Sequence, residues 1–142
     1  MVCLYCKFPT QVVNSRRQKQ LNQVWRRRQC ASCGAVFTSH ETFDFSGSLM
    51  VKNSNGKLVP FKKEKLFLSV LKTCQHRKTA LDDAIALTET IMAKLIRAAQ
   101  EGAIAAETIA VAAQTVLGNF DQAAAVQYAA YHPDFVYERS TV

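Results

Sequence analysis

The chain has 142 residues, 49% of them hydrophobic and 20% charged, which suits one ordinary globular domain or two small ones and excludes a disordered or fibrous protein. It contains no run of about 18 apolar residues, so no membrane span is expected. Residues 1–45 hold seven basic and two acidic side chains, which places +5 of the net charge of +7 there and leaves +2 for the rest. Such a concentration of positive charge is typical of a surface that binds a polyanion.

Four cysteines near the start of the chain form two CxxC pairs, Cys3 with Cys6 and Cys30 with Cys33. Each pair can direct two sulfurs at one ion, and together they complete the four-thiolate shell that structural Zn²⁺ prefers. The alternatives are disulfides, a thioredoxin-like redox pair or separate core thiols, and His40 could compete as a ligand. Disulfides are disfavoured because no apolar run of signal-peptide length precedes the cysteines. A redox CxxC is expected once, beside a βαβ pattern.

Short strands are predicted around these cysteines at residues 10–13, 24–28 and 34–38, the last continuing towards residue 45. A polar stretch, residues 14–23, separates the first two. A module this small buries too little apolar surface to fold alone, so bound metal is expected to supply much of its folding free energy.

Three arginines occupy the second of these strands, directly before the second CxxC pair. Because side chains alternate along a strand, Arg26 and Arg28 share one face and Arg27 points the other way. Guanidinium groups suit bidentate contacts to phosphate and to guanine, so DNA contact is one interpretation. A solvated basic edge strand is the alternative. Arg16 and Arg17 lie in the polar stretch, where basic pairs are usually solvated.

The composition changes at residues 46–48, and the predicted domains are residues 1–46, residues 47–135 and a tail of residues 136–142. Strands at 49–52 and 57–59 flank an Asn-Gly turn. Helices are predicted after Pro60, over 80–100, over 106–117 and from after Asp121, a plausible N-cap residue, to about residue 131. The predicted fold class is therefore α+β, a small antiparallel ribbon followed by a mostly α-helical domain with a short hairpin.

Each helix is expected to bury one apolar stripe. The first three stripes are Leu66, Phe67, Val70, Leu71 and Cys74; Leu81, Ile85, Thr88, Met92, Leu95 and Ile96; and Ile109, Ala113, Val116 and Leu117. Gly102 is expected to stop the second helix, and the third is expected to end before Gly118-Asn119.

The combination of both halves resembles the NrdR-type transcriptional repressors of ribonucleotide reductase operons, over residues 1 to about 135. The matching N-terminal motifs are Cys3-x-x-Cys6, Val13-x-Ser15-Arg16, Arg26-Arg27-Arg28-Gln29-Cys30-x-x-Cys33 and Phe37-Thr38-Ser39-x-Glu41. The C-terminal half is similar to an ATP-cone, with Val51-Lys52, Pro60-Phe61-Lys62-Lys63-Glu64-Lys65-Leu66 and the helix from Phe120-Asp121 to Tyr128-Ala129. In this sequence Trp25 stands where the family usually has a further arginine, and His132-Pro133 where it has Tyr-Arg.

The resemblance implies a ribbon that holds one structural Zn²⁺ per chain and contacts double-stranded operator DNA through Arg16, Arg26, Arg27 and Arg28. It also implies an adenine-nucleotide site, with ATP or dATP as effector, with or without Mg²⁺, at Lys52, Asn53, Lys57, Lys65 and Tyr128. A homo-oligomer associated with the bacterial nucleoid in the cytoplasm is the expected state. From the residues alone, lysines on an exposed first turn such as Lys65 are most often solvated, and no Walker-type glycine-rich loop is present.

No catalytic constellation is recognised in the sequence, which shows no Ser-His-Asp set, no open metal site and no paired carboxylates placed around a phosphate pocket. The sequence therefore predicts a nucleotide-responsive, zinc-dependent DNA-binding repressor and not an enzyme. Two alternatives stay open. One is a nucleotide-processing enzyme with an accessory zinc ribbon, and the other is a zinc-stabilised protein-interaction module.

Overall fold

The computed structural model describes residues 1–133 and divides into two compact units, Met1–Phe43 and a second that begins at Asp44. We refer to them as the ribbon unit and the helical unit. The division lies close to the boundary predicted after residue 46. The predicted tail, residues 136–142, falls outside the described residues.

The ribbon unit is a three-stranded antiparallel sheet of order β1-β2-β3, formed by β1 (Thr10–Gln18), β2 (Gln23–Cys30) and β3 (Val36–Glu41). Strand β1 continues through half of the stretch that the sequence marked only as polar. Both faces of that part of β1 are exposed, so it carries no alternation of apolar and polar residues to reveal the strand. Strand β3 ends at Glu41 and does not continue to residue 45, because Asp44 starts a short helix, α1 (Phe45–Ser48), by accepting a hydrogen bond from the Ser46 N–H at 3.0 Å.

The helical unit contains a second small sheet, of order β5-β4-β6. Strands β4 (Met50–Lys52) and β5 (Leu58–Pro60) form the predicted hairpin, and β6 (Ala103–Ala105) pairs in parallel with β4. Strand β6 was not predicted, since Ala-Ile-Ala has no distinguishing pattern. Gly102, directly before it, has φ +73°, and a Cβ there would lie 3.3 Å from the Ser48 carbonyl oxygen, so this position requires glycine.

The described part of this unit, residues 44–133, also contains four longer helices: α2 (Lys63–Cys74), α3 (Ala80–Ala98), α4 (Ala106–Phe120) and α5 (Gln122–Tyr131). Helix α4 runs through Gly118-Asn119, three residues past its predicted end. It stops where Asp121 caps α5, accepting hydrogen bonds from the N–H groups of Ala123 at 2.9 Å and Ala124 at 3.2 Å. Asp121 is thus the predicted N-cap residue.

The apolar core of the helical unit lies among these helices and the sheet. Most of the predicted stripes are buried or pack against the core, but the α3 stripe was partly wrong: Leu81 and Ile85 are exposed, and Ala84, Leu87 and Ile91 are buried. The first half of α3 has apolar residues on two sides, so periodicity alone could not choose between them. Within residues 1–133, no helix combines the length and apolarity that crossing a membrane requires.

Candidate metal centre, nucleic-acid interface and nucleotide pocket

The four predicted cysteines converge at one end of the ribbon sheet. All four sulfurs lie within 4.8 Å of one another, with Cys3 Sγ 3.6 Å from Cys33 Sγ and Cys6 Sγ 3.4 Å from Cys30 Sγ. Four sulfurs at about 2.3 Å from one Zn²⁺ would be about 3.8 Å apart in a tetrahedron. These separations are close to that value and much longer than a disulfide bond, about 2.05 Å.

Both CxxC pairs fold into the same turn. The N–H of Lys7 donates to the carbonyl of Cys3 at 3.2 Å, and the N–H of Gly34 donates to that of Cys30 at 3.1 Å. The residue after each pair takes a left-handed conformation, with φ 63° at Lys7 and 73° at Gly34. Glycine accepts this conformation freely, whereas lysine requires the surrounding structure to hold it. The two turns therefore present their sulfurs in matching ways.

Backbone N–H groups point at the sulfurs and stabilise negative charge there. Hydrogen bonds from the Cys6 and Tyr5 N–H groups lower the pKa of Cys3. The pKa of Cys30 is lowered to about 6, and the hydrogen bond from the Cys33 N–H is the largest cause. The Ala35 N–H also favours a Cys33 thiolate, but the neighbouring Cys6, burial and Cys3 outweigh it and raise the pKa of Cys33 to about 12. The cluster thus favours thiolates but cannot hold four without a cation, and a closed four-sulfur site fits structural Zn²⁺.

The strand register assigns the ribbon side chains to two faces, because directly paired residues of antiparallel strands share a face. The face that we call the Trp25 face consists of the rows Gln11–Gln29–Val36, Asn14–Arg27–Thr38 and Arg16–Trp25–His40. The opposite face, which we call the Arg26 face, consists of the rows Val12–Arg28–Phe37, Ser15–Arg26–Ser39 and Arg17–Val24–Glu41. A bulge between Val12 and Asn14 adjusts the register. The predicted alternation of the three arginines is confirmed.

Two arginines of the Arg26 face, Arg26 and Arg28, are partly buried and bonded within the sheet, whereas Arg17 is exposed. Arg26 donates from Nε and Nη2 to Glu41 Oε2 at 3.0 and 2.8 Å, and from Nη1 to Ser15 Oγ at 3.3 Å. Arg28 Nε donates to Ser39 Oγ at 2.9 Å. Arg27, on the Trp25 face, is exposed. On that face the Arg16 guanidinium lies 5.9 Å from the centre of the Trp25 ring, a cation–π contact.

The helical unit contains a cavity of about 250 Å³ between its sheet, α2, α4 and α5. Its walls are mostly apolar, and they are formed by Val51, Val59, Pro60, Phe61, Leu66 and Ile109. Two lysines, Lys62 and Lys65, are among its lining residues at the start of α2. Lys62 is the N-cap residue of α2 and its side chain accepts no hydrogen bond from the first turn, so the positive end of the helix is not covered by a capping side chain and favours an anion.

Three neutral polar side chains, of Ser69, Tyr128 and His132, also line this cavity. The rings of Tyr128 and His132 are in contact, with centroids 4.4 Å apart and planes tilted by 34°, and His132 Nε2 lies 2.9 Å from Ser69 Oγ. Burial raises the pKa of Tyr128 to about 12 and lowers the pKa of His132, so both side chains are uncharged at neutral pH. The cavity therefore combines flat uncharged rings with nearby cations, an arrangement that suits a base and its phosphates.

Comparison with known proteins matches both units to one family. Residues 1–41 match the domain described as "Transcriptional repressor NrdR-like, N-terminal domain", and residues 49–134 match the ATP cone domain. Proteins named Transcriptional repressor NrdR from Parafrankia sp. (strain EAN1pec), Clavibacter sepedonicus and Geotalea daltonii (strain DSM 22248 / JCM 15807 / FRC-32) are 32%, 33% and 30% identical to this chain. Each comparison covers 95% of this chain, and 70%, 83% and 89% of the relative in that order. The chain belongs to the NrdR family.

The predicted resemblance is thereby confirmed, together with the zinc ribbon and the ATP-cone. The relatives are named as transcriptional repressors, which is a regulatory and non-enzymatic role.

The cavity of this NrdR-family ATP-cone includes three of the five residues predicted for the nucleotide, namely Asn53, Lys65 and Tyr128. Lys52 and Lys57 are not among its lining residues. Lys52 is the last residue of β4, the central strand of its sheet, and lies between Val51 and Asn53. Because both neighbours line the cavity, alternation directs Lys52 to the other side. Lys57 follows the turn, where its N–H donates to Asn55 Oδ1 at 3.0 Å.

Three polar lining residues were not predicted: Lys62, Ser69 and His132. Lys62 belongs to the same basic run as Lys65, and Ser69 lies four residues after Lys65, one turn along α2. That spacing could have placed Ser69 on the cavity side. His132 carries no such signal, because it follows the end of α5 and reaches the cavity only through the packing of that helix.

Proposed function

We propose that this chain is a transcriptional repressor that binds operator DNA through the ribbon unit and responds to adenine nucleotide bound in the helical unit. The observation that carries the proposal is that one chain joins both NrdR-family domains, each with a site suited to its role. The ribbon presents a basic sheet beside a four-cysteine cluster, and the ATP-cone presents a cavity with cationic and aromatic walls.

In this proposal Cys3, Cys6, Cys30 and Cys33 hold one Zn²⁺. Bound zinc supplies a rigid cross-link between the two turns and no open coordination position, so its role is structural. The four arginines Arg16, Arg26, Arg27 and Arg28 supply the positive charge that attracts the DNA backbone. No carboxylate besides Glu41 lies on the three strands.

The nucleotide occupies the cavity with its base beside Tyr128 and His132 and its phosphates towards Lys62 and Lys65. The apolar walls exclude water from the base, and the start of α2 adds positive potential at the phosphates. ATP or dATP, with or without Mg²⁺, fits this distribution. Asn53 provides an amide at the edge of the site, and Lys52 and Lys57 contribute only at longer range.

Nucleotide controls DNA binding by linkage. A nucleotide that binds one homo-oligomeric arrangement more tightly than another shifts the population towards it, and only some arrangements place two ribbon units at operator spacing. By family relation the targets are genes for ribonucleotide reductase, and the repressor acts on nucleoid DNA in the bacterial cytoplasm.

The proposal is tested by titrating zinc-loaded protein against duplex DNA from a ribonucleotide reductase promoter, in the presence of ATP, dATP or no nucleotide. We expect binding that differs between the nucleotide states and exceeds binding to a random duplex of equal length. The oligomeric state, measured by light scattering in the same solutions, should change with nucleotide. Equal binding to both duplexes in every nucleotide state would reject the proposal.

The nucleotide site is tested with a matched pair of lysine variants. Lys65→Ala removes an ammonium group from the cavity lining, whereas Lys57→Ala removes the same charge from the nearby turn. We expect K65A to weaken ATP binding in calorimetry on the order of tenfold, the effect of one charge-assisted hydrogen bond, and K57A to bind nearly as the wild type does. Equal losses in both variants would contradict the placement of the phosphates.

A further inference from the structure

The two faces of the ribbon sheet differ in how their positive charge is balanced. The three strands are described in full, and their one acidic residue, Glu41, lies on the Arg26 face, where it pairs with Arg26. Arg28 on the same face is held by Ser39. The Trp25 face carries Arg16 and Arg27 and no carboxylate. The Arg26 face has three arginines and one glutamate, so both faces have a net charge of +2. The Trp25 face is nevertheless the better match to a polyanion, because no carboxylate on it competes for its guanidinium groups.

The side chains of the Trp25 face also match the chemistry of base edges. Guanidinium groups pair with guanine, and Asn or Gln amides pair with adenine. The strands β1 and β2 supply both kinds of group on this face: Asn14 and Arg16 from β1, and Arg27 and Gln29 from β2. All four are exposed. The major groove of DNA admits a two-stranded antiparallel ribbon. Strands β1 and β2, with nine and eight residues, form such a ribbon.

Trp25 adds an apolar element at one end of this face. It is partly buried, it lies directly opposite Arg16 and His40 in the register, and its ring holds the Arg16 guanidinium at 5.9 Å. A large ring that is neither in a core nor fully covered can pack on thymine methyl groups or deoxyribose carbons. The same contact keeps the Arg16 guanidinium on the Trp25 face.

We infer that duplex DNA is read by the Trp25 face, with Arg27 and Asn14 at the base edges and Trp25 packed against the DNA. The inference rests on the proposed operator binding and specifies which surface performs it. The Arg26 face contributes positive potential, while Arg26 and Arg28 stabilise the sheet.

Two exposed arginines provide the matched test, because Arg27→Ala and Arg17→Ala each remove one positive charge but from opposite faces. The probe is a labelled duplex from a ribonucleotide reductase promoter, and zinc content and circular dichroism verify that both variants are folded. We expect R27A to lose between about 5- and 150-fold in affinity, the range of one bidentate base contact. We expect R17A to stay within about threefold of wild type, since it changes only the long-range field. A folded R17A that loses as much as R27A would overturn the inference.

Fluorescence gives an independent readout, because Trp25 is the only tryptophan in the chain. Its emission should change on saturation with the promoter duplex, W25F should keep most of the affinity and W25A should lose several-fold. If the Trp25 emission does not change and R27A binds the duplex as the wild type does, the assignment to the Trp25 face is wrong, although the protein still binds the operator. If the wild-type protein itself does not prefer the promoter duplex, the proposed function fails instead.

Discussion

The two units of this chain achieve a folded state by different means. In the ribbon unit, Met1–Phe43, the buried hydrophobic residues are Cys3 and Cys30, both in the four-cysteine cluster. Large apolar side chains there are exposed, including Tyr5 at 75% and Phe8 at 59%. In the helical unit, by contrast, one continuous cluster of buried side chains joins the sheet and helices α2 to α5. Ile91, Leu95 and Leu117 in that cluster are fully buried.

This difference shows which energy holds each unit together. Apolar burial stabilises by about 25 cal/mol per Å² of surface removed from water, and the ribbon removes little. Its backbone hydrogen bonds and one cluster of sulfurs must therefore carry the fold, with bound metal as the cross-link. The helical unit needs no metal, since its core resembles that of an ordinary small domain.

The largest expected effect comes from removing the metal. Chelation of zinc, or Cys30→Ser, should unfold the ribbon unit and leave the helical signal in circular dichroism nearly intact. Trypsin should then cut quickly at the arginines of β1 and β2, while the helical unit resists. Metal analysis should fall from about one zinc per chain, the capacity of a four-thiolate site, to almost none.

Cys74→Ala is the control for this experiment, because Cys74 is the one cysteine outside the cluster and lies in the helical core. Its zinc content should match that of the wild type. A ribbon sheet that survives chelation and keeps its resistance to trypsin would contradict the contrast between the units.

A smaller effect, confined to the other unit, is expected from truncating its core. Leu117→Ala should lower the free energy of unfolding of the helical unit by about 2–5 kcal/mol, the usual range for a fully buried leucine. Urea denaturation followed by helical circular dichroism measures this loss. Zinc content should not change, and loss of zinc in this variant would show that the two units depend on each other.

The smallest effect concerns a cluster of charges at the ends of helices. Asp121 caps α5, and its Oδ2 lies 2.9 Å from His76 Nε2 and 3.0 Å from Arg77 Nη1. Arg77 Nε also donates to Asp83 Oδ2 at 2.8 Å. Hydrogen bonds from His76, from the α5 backbone and from Arg77 lower the pKa of Asp121, and those from Thr79 and Arg77 lower the pKa of Asp83.

Because the pKa values of Asp121 and Asp83 are lowered in the folded state, their ionised carboxylates stabilise the helical unit at any pH above the ordinary aspartate pKa of about 3.9. This stabilisation is lost as the pH falls through the lower pKa values of the folded state. The Tm of the helical unit should therefore fall as the pH is lowered below about 4. Asp121→Asn keeps an N-cap residue but loses the charge, so its Tm at neutral pH should fall less than that of Asp121→Ala. A D121A variant with wild-type Tm would contradict this role.

The sequence predicted the metal centre well because its information is local. Two cysteines separated by two residues can form a ligand pair by turn geometry alone, and the structure brings all four sulfurs together. The alternation of Arg26, Arg27 and Arg28 followed from strand periodicity in the same way. The predicted Asp121 cap likewise depends only on its own backbone neighbours.

The nucleotide pocket was predicted less completely because its residues come from separate elements. Lys52 and Asn53 are adjacent in sequence, but the strand turns only Asn53 to the cavity. His132 enters the lining from beyond the end of α5. The exposure of Leu81 and Ile85 was missed for a related reason, since the packing of neighbouring helices chose between two apolar sides of α3.

By itself the sequence determined the fold class, the four-cysteine cluster and the family, since each depends on residue types at short, fixed spacings. Tertiary structure alone decided that β6 joins the second sheet, that Arg26 and Arg28 are bonded within the ribbon while Arg27 is exposed, and that Lys62 and His132 line the cavity. Such features depend on which distant segments pack together, and packing is a property of the whole chain that no local pattern records.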